Sequence, residues 1–137
     1  MQMEIVFPGG KKVDAIYNGF RVKTDQPQGY GGENSAPWPF SLFLASIGTC
    51  AGFMVLSFCQ QRRISTDNLK LILKTERDKK EKRLSKIIIE IQLPSNFPEK
   101  YREAVIRAAD LCPVKKYILN PPAFEIYTKI MPPNSQS

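Results

Sequence analysis

Apolar and polar residues alternate in short runs at the start of the chain, which is the pattern of strands with one buried face. The alternation predicts three strands, at residues 2–7, 11–16 and 20–24. Between them stand Gly9-Gly10 and Asn18-Gly19, pairs typical of tight hairpin turns because these residues tolerate the left-handed backbone region. We therefore expect residues 1–24 to form a small antiparallel sheet.

Two longer segments have helical periodicity. The first is an apolar stretch over residues 39–61, which starts with Pro39, a residue suited to the first turn of a helix. The second runs over residues 98–119, and its apolar residues recur at helical spacing as far as Cys112. Because the following Pro113 cannot donate to the helical hydrogen-bond ladder, we expect a break at Cys112-Pro113 and a short helix after it.

Strand patterns return between and after the helices. Residues 67–93 predict a pair of strands (67–76 and 85–93), and residues 123–130 predict a last strand before a frayed tail at 131–137. The chain of 137 residues has the length of one domain, and we find neither a repeat nor a linker in it. The sequence therefore predicts a single α+β domain over residues 1–137.

Positive charge is concentrated between the two strands of that pair. The net charge is +7, and residues 74–86 hold seven basic and three acidic residues, a surplus of four. No aromatic residue is interleaved for stacking on bases, so we interpret the segment as a solvated hairpin turn and expect no nucleic-acid partner.

The first residues lack the pattern of a signal peptide, and three cysteines do not suggest a secreted disulfide framework. We therefore expect a cytoplasmic protein.

The composition narrows the available chemistry. The chain has no histidine, which excludes Ser-His and Cys-His nucleophile pairs and histidine-containing metal sites. No two cysteines are spaced as Cys-x-x-Cys, which excludes a zinc ribbon or a thioredoxin-type motif. Any catalysis must therefore use thiols, carboxylates, lysine, arginine or tyrosine.

The first predicted helix carries no charge, since residues 36–61 contain no Asp, Glu, Lys or Arg. Its length alone would allow it to cross a bilayer. Hydroxyl residues within it and amphipathic strands on both sides favour a fully buried central helix, so we expect no membrane partner. A stripe of small residues on one face, including Gly48 and Gly52, would allow another helix to approach closely. A symmetric dimer that pairs this helix with its counterpart would cover its apolar faces.

The three cysteines are not equivalent. Cys50 and Cys59 lie half a turn out of phase on the first helix and about 13.5 Å apart along its axis, too far for a disulfide. We interpret Cys59 as a small buried hydrophobic residue. Cys112 lies at the helix break with Lys115 and Lys116 after it, a setting that favours a reactive thiol. Cys50 and Cys112 could meet if the two helices cross on their apolar faces.

Cys50 would need a cation in order to react at neutral pH. It lies eleven residues inside its helix, beyond the reach of that helix's dipole, and its apolar neighbours would raise the pKa of the thiol. With no histidine available, the cation must come from an arginine or a lysine. The sequence by itself does not choose the donor.

Two segments some sixty residues apart resemble a known family. Residues 31–50 (GGENSAPWPFSLFLASIGTC) resemble the loop and first-helix signature of the OsmC/Ohr family, and residues 108–116 (AADLCPVKK) resemble its second cysteine segment. The order of strands and helices fits over nearly the whole chain. The resemblance implies an α+β fold in which antiparallel sheets are swapped between subunits around two central helices, as an intertwined homodimer.

The resemblance also implies thiol peroxidase chemistry. By that analogy Cys50 attacks an organic hydroperoxide and becomes a sulfenic acid, and Cys112 condenses with it to a disulfide. An external dithiol or lipoyl-type reductant then reduces this disulfide. No metal or organic cofactor is implied.

The resemblance further implies an arginine near the first thiol. In the family it comes from the N-terminal region and is oriented by a glutamate at the start of the first helix. Arg21 is the only arginine in that region of this chain, while Phe40 and Ser41 occupy the places of the glutamate. Glu33 is the nearest acidic residue upstream and is the candidate to substitute for it. Arg21 and Glu33 therefore join Cys50 and Cys112 as expected site residues, and Lys115 and Arg107 are the fallback cations.

Two other functions fit parts of the sequence. A non-catalytic protein on the same scaffold would hold an apolar ligand in the dimer cleft, and its cysteines would be incidental. An anion-binding module would use the basic residues at 74–86. Turnover of an organic hydroperoxide with added dithiol separates peroxide reduction from the first alternative, and salt-sensitive binding of a polyanion would support the second.

Overall fold

The computed structural model describes residues 1–133 and has an α+β fold with antiparallel sheets, as the sequence predicted. In chain order its elements are β1 (Glu4–Gly9), β2 (Lys12–Tyr17), β3 (Phe20–Thr24), α1 (Pro39–Gln61), β4 (Lys70–Asp78), β5 (Arg83–Gln92), α2 (Arg102–Asp110) and α3 (Pro113–Leu119). Short 3-10 turns precede α1 at Gln28–Tyr30 and α2 at Glu99–Tyr101. Of the predicted tail at 131–137, only residues 131–133 lie within the described part of the chain.

The first sheet has the strand order β1-β2-β3, with its second turn at the predicted Asn18-Gly19 and its first at Gly10-Lys11, one residue later than predicted. Asn18 and Gly19 have φ angles of 48° and 79°, and the flanking residues Tyr17 and Phe20 are paired across the hairpin. A two-residue loop needs this left-handed backbone to match the twist of its strands, and Asn and Gly adopt it at low cost. The turn residues therefore allow the strands that the alternation predicted to pair as neighbours.

One buried carboxylate organises the loop between β3 and α1. Asp25, which is 1% exposed, accepts hydrogen bonds from the hydroxyl and N–H of Ser35 and from the N–H groups of Gln26 and Glu33. The Ser35 hydroxyl has the largest effect among these donors, and together they lower the pKa of Asp25 to about 2. The loop is thus tied back on itself just before α1, which fixes the direction in which the helix begins.

The second sheet is the hairpin β4-β5. Its strands reach further toward the turn than the predicted 67–76 and 85–93, so only residues 79–82 connect them. Residues 74–86 are exposed except for Leu84, in line with a solvated hairpin end. Two of its basic residues are paired, because Lys74 contacts Glu90 at 2.6 Å and Arg83 contacts Glu81 at 2.8 Å.

Helix α1 has the predicted bounds but is covered on one side only. Its buried residues are Ile47, Ala51, Val55, Phe58 and Cys59, which recur at helical spacing and form one face. Large apolar side chains on the rest of its surface, such as Phe43 and Phe53, are exposed. The other elements of the described chain thus cover a single face of α1, and full burial of the helix stays a prediction that depends on the expected second subunit. By length and composition alone, α1 would also be able to cross a membrane.

The stripe of small residues on α1 faces a sheet. A methyl group placed on Gly48 would lie 3.5 Å from Cδ1 of Leu73 in β4, and one on Gly52 would meet nothing within 4 Å. Leu73 of β4 therefore lies beside Gly48 but leaves Gly52 open, and the packing of this stripe against the same helix of a second subunit stays a prediction.

The second helical segment is broken where the sequence predicted. Helix α2 ends at Asp110, and α3 begins at Pro113 with Cys112 as its N-cap residue. Val105 of α2 is completely buried and packs with Val55, Phe58 and Cys59 of α1 to form the hydrophobic core. The packing of α2 on α1 therefore carries the chain around the break and brings α3 alongside the middle of α1.

The predicted last strand at 123–130 is absent from the described chain. Residues 121–133 have no strand structure and are exposed throughout. A strand requires a neighbouring strand to pair with its N–H and C=O groups, and neither described sheet pairs with this segment. The alternation of side chains indicated a preference for strand structure, but it could not indicate whether a partner edge was available.

Candidate active site

Two of the predicted residues, Cys50 and Cys112, meet in the structure. Cys50 lies in the middle of α1 and is partly buried, and Cys112 lies at the start of α3 and is 2% exposed. Their thiols are free and are within hydrogen-bonding reach of each other. The contact is possible because α2 and α3 both pack along α1, so the break between them faces the middle of that helix.

The helix break also supplies a hydrogen-bond donor. The first N–H groups of a helix have no partner within the helix, and Pro113 removes one of them by having no N–H at all. The next one, on Val114, donates a hydrogen bond to the sulfur of Cys50. Cys50 therefore interacts with the N-terminus of α3, although it is too far inside α1 to interact with the N-terminus of its own helix.

The pKa of Cys50 is nevertheless raised above its ordinary value. The hydrogen bond from Val114 is the largest single influence and lowers the pKa. Burial, the hydrogen bond with Cys112 and the charge of Cys112 each raise it and together outweigh that bond. Within residues 1–133, no basic side chain is among the groups that act on this pKa. The thiol pair is thus assembled, but no cation of the described chain lowers the pKa of Cys50.

Cys59 differs from the other two cysteines. It is completely buried in the core, where burial raises the pKa of its thiol and Arg62 only partly offsets the effect. Its neighbours in the core are Val55, Phe58 and Val105. This environment agrees with its interpretation as a small hydrophobic residue.

A cavity of about 450 Å³ adjoins Cys112. Its wall is mainly apolar and includes residues of α1, β5 and α2, while three basic side chains also line it. The apolar lining residues are Ile47, Ala51, Ile89, Ile91, Leu93, Val105, Ile106 and Ala109, and the basic ones are Arg102, Arg107 and Lys115. Lys115 forms an ion pair with Asp110, and Arg102 contacts Glu99 at 3.6 Å. Such a cavity is suited to a mainly apolar organic molecule.

The structure does not bring the other two predicted residues to the thiols. Arg21 lies in β3, where its Nε donates to the buried carboxylate of Asp14 at 2.8 Å. Glu33 lies in the loop before α1 and pairs with Lys12 at 2.9 Å. Neither Arg21 nor Glu33 lines the cavity beside Cys112, and they do not pair with each other.

Within the described residues, no group of three or more Cys, Asp or Glu side chains could hold a metal ion.

The sequence matches the family model described as OsmC-like protein over residues 32–127, which is more than half of the chain. The chain belongs to the OsmC-like family. The matched region contains both Cys50 and Cys112 and the helices that position them. A comparison with curated proteins found no significant match.

Solved structures with the same fold include several OsmC-like proteins. An osmotic stress induced and detoxification response protein of Psychrobacter arcticus 273-4 has a TM-score of 0.71 at 19% identity, with 85% of this chain and 86% of that one covered. The OsmC like protein of Mycoplasma pneumoniae has a TM-score of 0.68 at 15% identity, with 88% and 87% covered. The organic hydroperoxide resistance protein OsmC of Legionella pneumophila has a TM-score of 0.51 at 17% identity, with 86% and 89% covered. At these identities the likeness establishes the fold alone.

This OsmC-like chain has an aromatic cluster where the family glutamate was expected. The ring of Phe40, in the first turn of α1, lies 5.8 Å from that of Trp38 and 5.5 Å from that of Phe43 between centroids. The first turn of α1 itself therefore contributes no carboxylate that could orient an arginine.

Sequence reasoning missed one member of the site, the N–H of Val114. A backbone group leaves no signature in residue identity, but Pro113 was a signal for it. Proline at the first position of a helix indicates that the next N–H groups are unpaired and can serve a neighbouring acceptor.

Proposed function

We propose that this OsmC-like protein reduces organic hydroperoxides through its paired thiols. The observation that carries the proposal is the contact between Cys50 and Cys112, two free thiols from different helices. Free cysteines in a core are commonly isolated, as Cys59 is. A pair within reach of each other, beside a helix terminus and a cavity, has the arrangement that a disulfide cycle requires.

The proposed cycle has three steps. The Cys50 thiolate attacks the outer oxygen of a hydroperoxide, the O–O bond breaks, and the alkoxide leaves as an alcohol after taking up a proton. Cys50 is then a sulfenic acid, and the Cys112 sulfur attacks it to form a disulfide and release water. An external dithiol, of the lipoyl type or similar, exchanges with this disulfide and leaves as its own cyclic disulfide, restoring both thiols.

The cavity supports an organic hydroperoxide as the substrate. Its mainly apolar wall would take the hydrocarbon part of such a molecule out of water, at a gain of about 25 cal/mol for each Å² of apolar surface buried. Hydrogen peroxide has no such part. In this proposal the protein uses neither a metal nor an organic cofactor, and it works in the cytoplasm, where a dithiol pool is available.

The active form that we propose is a homodimer in which sheets are exchanged between subunits. Apolar side chains of α1 and of residues 124–131 are exposed in the single chain, and β1 has an unpaired edge. A second copy would cover these surfaces and offer residues 123–130 a strand to pair with. It would also allow Arg21 of one subunit to approach Cys50 of the other and lower the pKa of that thiol. Glu33, the nearest acidic residue upstream of Phe40 and Ser41, would then be the candidate to orient that arginine.

A non-catalytic ligand-binding protein is the second candidate. The raised pKa of Cys50 favours it, because a thiol that stays protonated at neutral pH reacts slowly with peroxide. The same cavity would then hold an apolar ligand without turning it over.

One experiment separates the two candidates. The purified protein is mixed with cumene hydroperoxide and dithiothreitol, peroxide loss is followed, and a sample without dithiol is digested for peptide mapping. We expect dithiol-dependent turnover and a peptide pair linked through Cys50 and Cys112, with a dimeric mass by light scattering. An absence of turnover, together with disulfide links that contain only Cys59, would contradict the proposal. Binding of cumyl alcohol without turnover would favour the second candidate.

A further inference from the structure

A second cavity lies at the opposite end of α1 from the helix start, and its lining is polar. It has a volume of about 650 Å³ and is formed by the loop between α1 and β4, the loop after β5 and the turn before α2. Three basic side chains line it, from Arg62, Arg63 and Lys100, and one carboxylate, from Asp67. The cavity beside Cys112 is lined by none of these residues.

The three cations of this second cavity outnumber its one carboxylate. Within residues 1–133, none of Arg62, Arg63 and Lys100 forms an ion pair, whereas Arg83 and Lys74 of the basic hairpin do. Like charges gathered in a concave site raise the local positive potential, and a concave surface screens them less than open solvent does. The site therefore favours a negatively charged occupant.

Arg62 is held in place before any ligand arrives. Its guanidinium carbon lies 3.7 Å from the ring centroid of Phe58 and 5.4 Å from that of Tyr101, and one of its N–H groups donates to the carbonyl of Phe58 at 3.1 Å. Phe58 is itself part of the core, and Tyr101 packs against it. Because these contacts already restrict the side chain, little rotamer entropy remains to be lost on binding.

Arg63 has a backbone conformation that glycine adopts more easily than arginine. Its φ is 54°, in the left-handed region, and the C-terminal turn of a helix commonly has glycine there. The neighbouring side chains of Asn68 and Asn96 add amide donors to the cavity. Basic and amide groups together match the oxygens of phosphate or of several carboxylates.

We propose that this cavity binds a compact polyanion, either a small phosphorylated molecule or a polycarboxylate. The binding site is independent of the thiol pair and of peroxide reduction. The volume is in the range that accepts a small organic ligand. The basic hairpin at 74–86 carries more positive charge, but none of its side chains lines this cavity. Arg62, Arg63 and Lys100 are exposed too, and what sets them apart is that they share one concave site.

The test is calorimetric titration of the full-length protein at low ionic strength with inorganic pyrophosphate and, separately, with citrate. We expect saturable binding of at least one of them with one site per chain, and the tighter of the two identifies the ligand class. The variant Arg63→Asn/Lys100→Gln should bind at least about tenfold more weakly, because it removes two of the three cations. Asparagine is chosen since it tolerates the left-handed backbone.

Two further variants make the result specific. Lys79→Gln/Lys80→Gln removes the same charge from the hairpin and should change the affinity by no more than about twofold. Asp67→Asn removes the only carboxylate in the cavity and should tighten binding. Peroxide turnover, or circular dichroism if there is none, verifies that each variant is folded. An absence of saturable binding by the wild type, or an equal loss in the cavity and hairpin variants, would overturn the proposal.

Discussion

Cys59 and Cys112 are almost equally buried, yet their surroundings are of opposite kinds. Cys59 is completely enclosed by the apolar core between α1 and α2. Cys112 is 2% exposed, but it lies at a helix break, next to the thiol of Cys50 and at the edge of a cavity. Burial alone therefore does not distinguish these two cysteines; the neighbouring thiol, the helix terminus and the cavity do.

The largest effect that would test this comparison is on peroxide turnover. Cys50→Ser should lower the rate by at least about a thousandfold, because the nucleophile is removed. Cys59→Ala should stay within about twofold of the wild type, since Cys59 lies in the core and is not among the groups that act on the pKa of Cys50. Steady-state assays with an organic hydroperoxide and excess dithiol measure both. A loss in Cys59→Ala as large as that in Cys50→Ser would remove the distinction between the two environments.

The next effect is on stability. Cys59→Leu should lower the free energy of unfolding by about 1–3 kcal/mol, because the larger side chain has no room in the core. Gln60→Leu, at an exposed position one residue further along α1, is the control and should change it by no more than about 0.5 kcal/mol. Chemical denaturation followed by circular dichroism gives both values. A neutral Cys59→Leu would mean that the core around Cys59 is loosely packed.

A smaller effect concerns the cation that the described chain does not add to Cys50. Arg21→Met by itself would leave the buried Asp14 carboxylate unpaired, so the informative variant is Arg21→Met/Asp14→Asn, with Asp14→Asn as its control. If Arg21 of a second subunit activates Cys50, the double variant should alkylate at Cys50 about tenfold more slowly at pH 7 than the control. Mass spectrometry of the Cys50 peptide over a range of pH measures the rate. Coincident curves for the two variants would exclude Arg21 as the activator.

The smallest effect concerns the influence of Cys112 on Cys50. Cys112 raises the pKa of Cys50 through a hydrogen bond and through its charge, so Cys112→Ala should lower that pKa. A lower pKa means more thiolate at pH 7, and alkylation of Cys50 should therefore become faster, by no more than about threefold. Cys59→Ala should leave the rate unchanged. A slower reaction in Cys112→Ala would indicate that Cys112 assists the thiolate instead of opposing it.

The elements that could be predicted from the sequence are those with a local cause. Asn18-Gly19 determines its own turn, Pro39 starts α1, and Pro113 breaks the second helical segment whatever surrounds it. The contact of Cys50 with Cys112 was a conditional prediction, because it depends on how α3 lies against α1 after the break. That geometry arises from core packing around Val105, which is not visible in residue order.

The failures have the opposite character, since each depends on a distant partner. Residues 123–130 lack a strand to pair with in the described chain. Arg21 is engaged by Asp14, which a sequence pattern alone would not have paired with it. Helical and strand periodicity identify which side chains prefer to be buried, but not which surface buries them.

The apolar character of α1 also has a consequence for synthesis. The helix is 23 residues long and contains an 18-residue stretch with a mean hydropathy of 2.0. Its core partner Val105 lies in α2, whose start at Arg102 follows the end of α1 by about forty residues. Translation adds roughly 5–20 residues per second, so about 2–8 s pass between the synthesis of the end of α1 and that of the start of α2. During that interval the most hydrophobic segment of the nascent chain is not yet covered by α2. Slowing translation between residues 62 and 101 should therefore increase the chain's dependence on chaperones during synthesis.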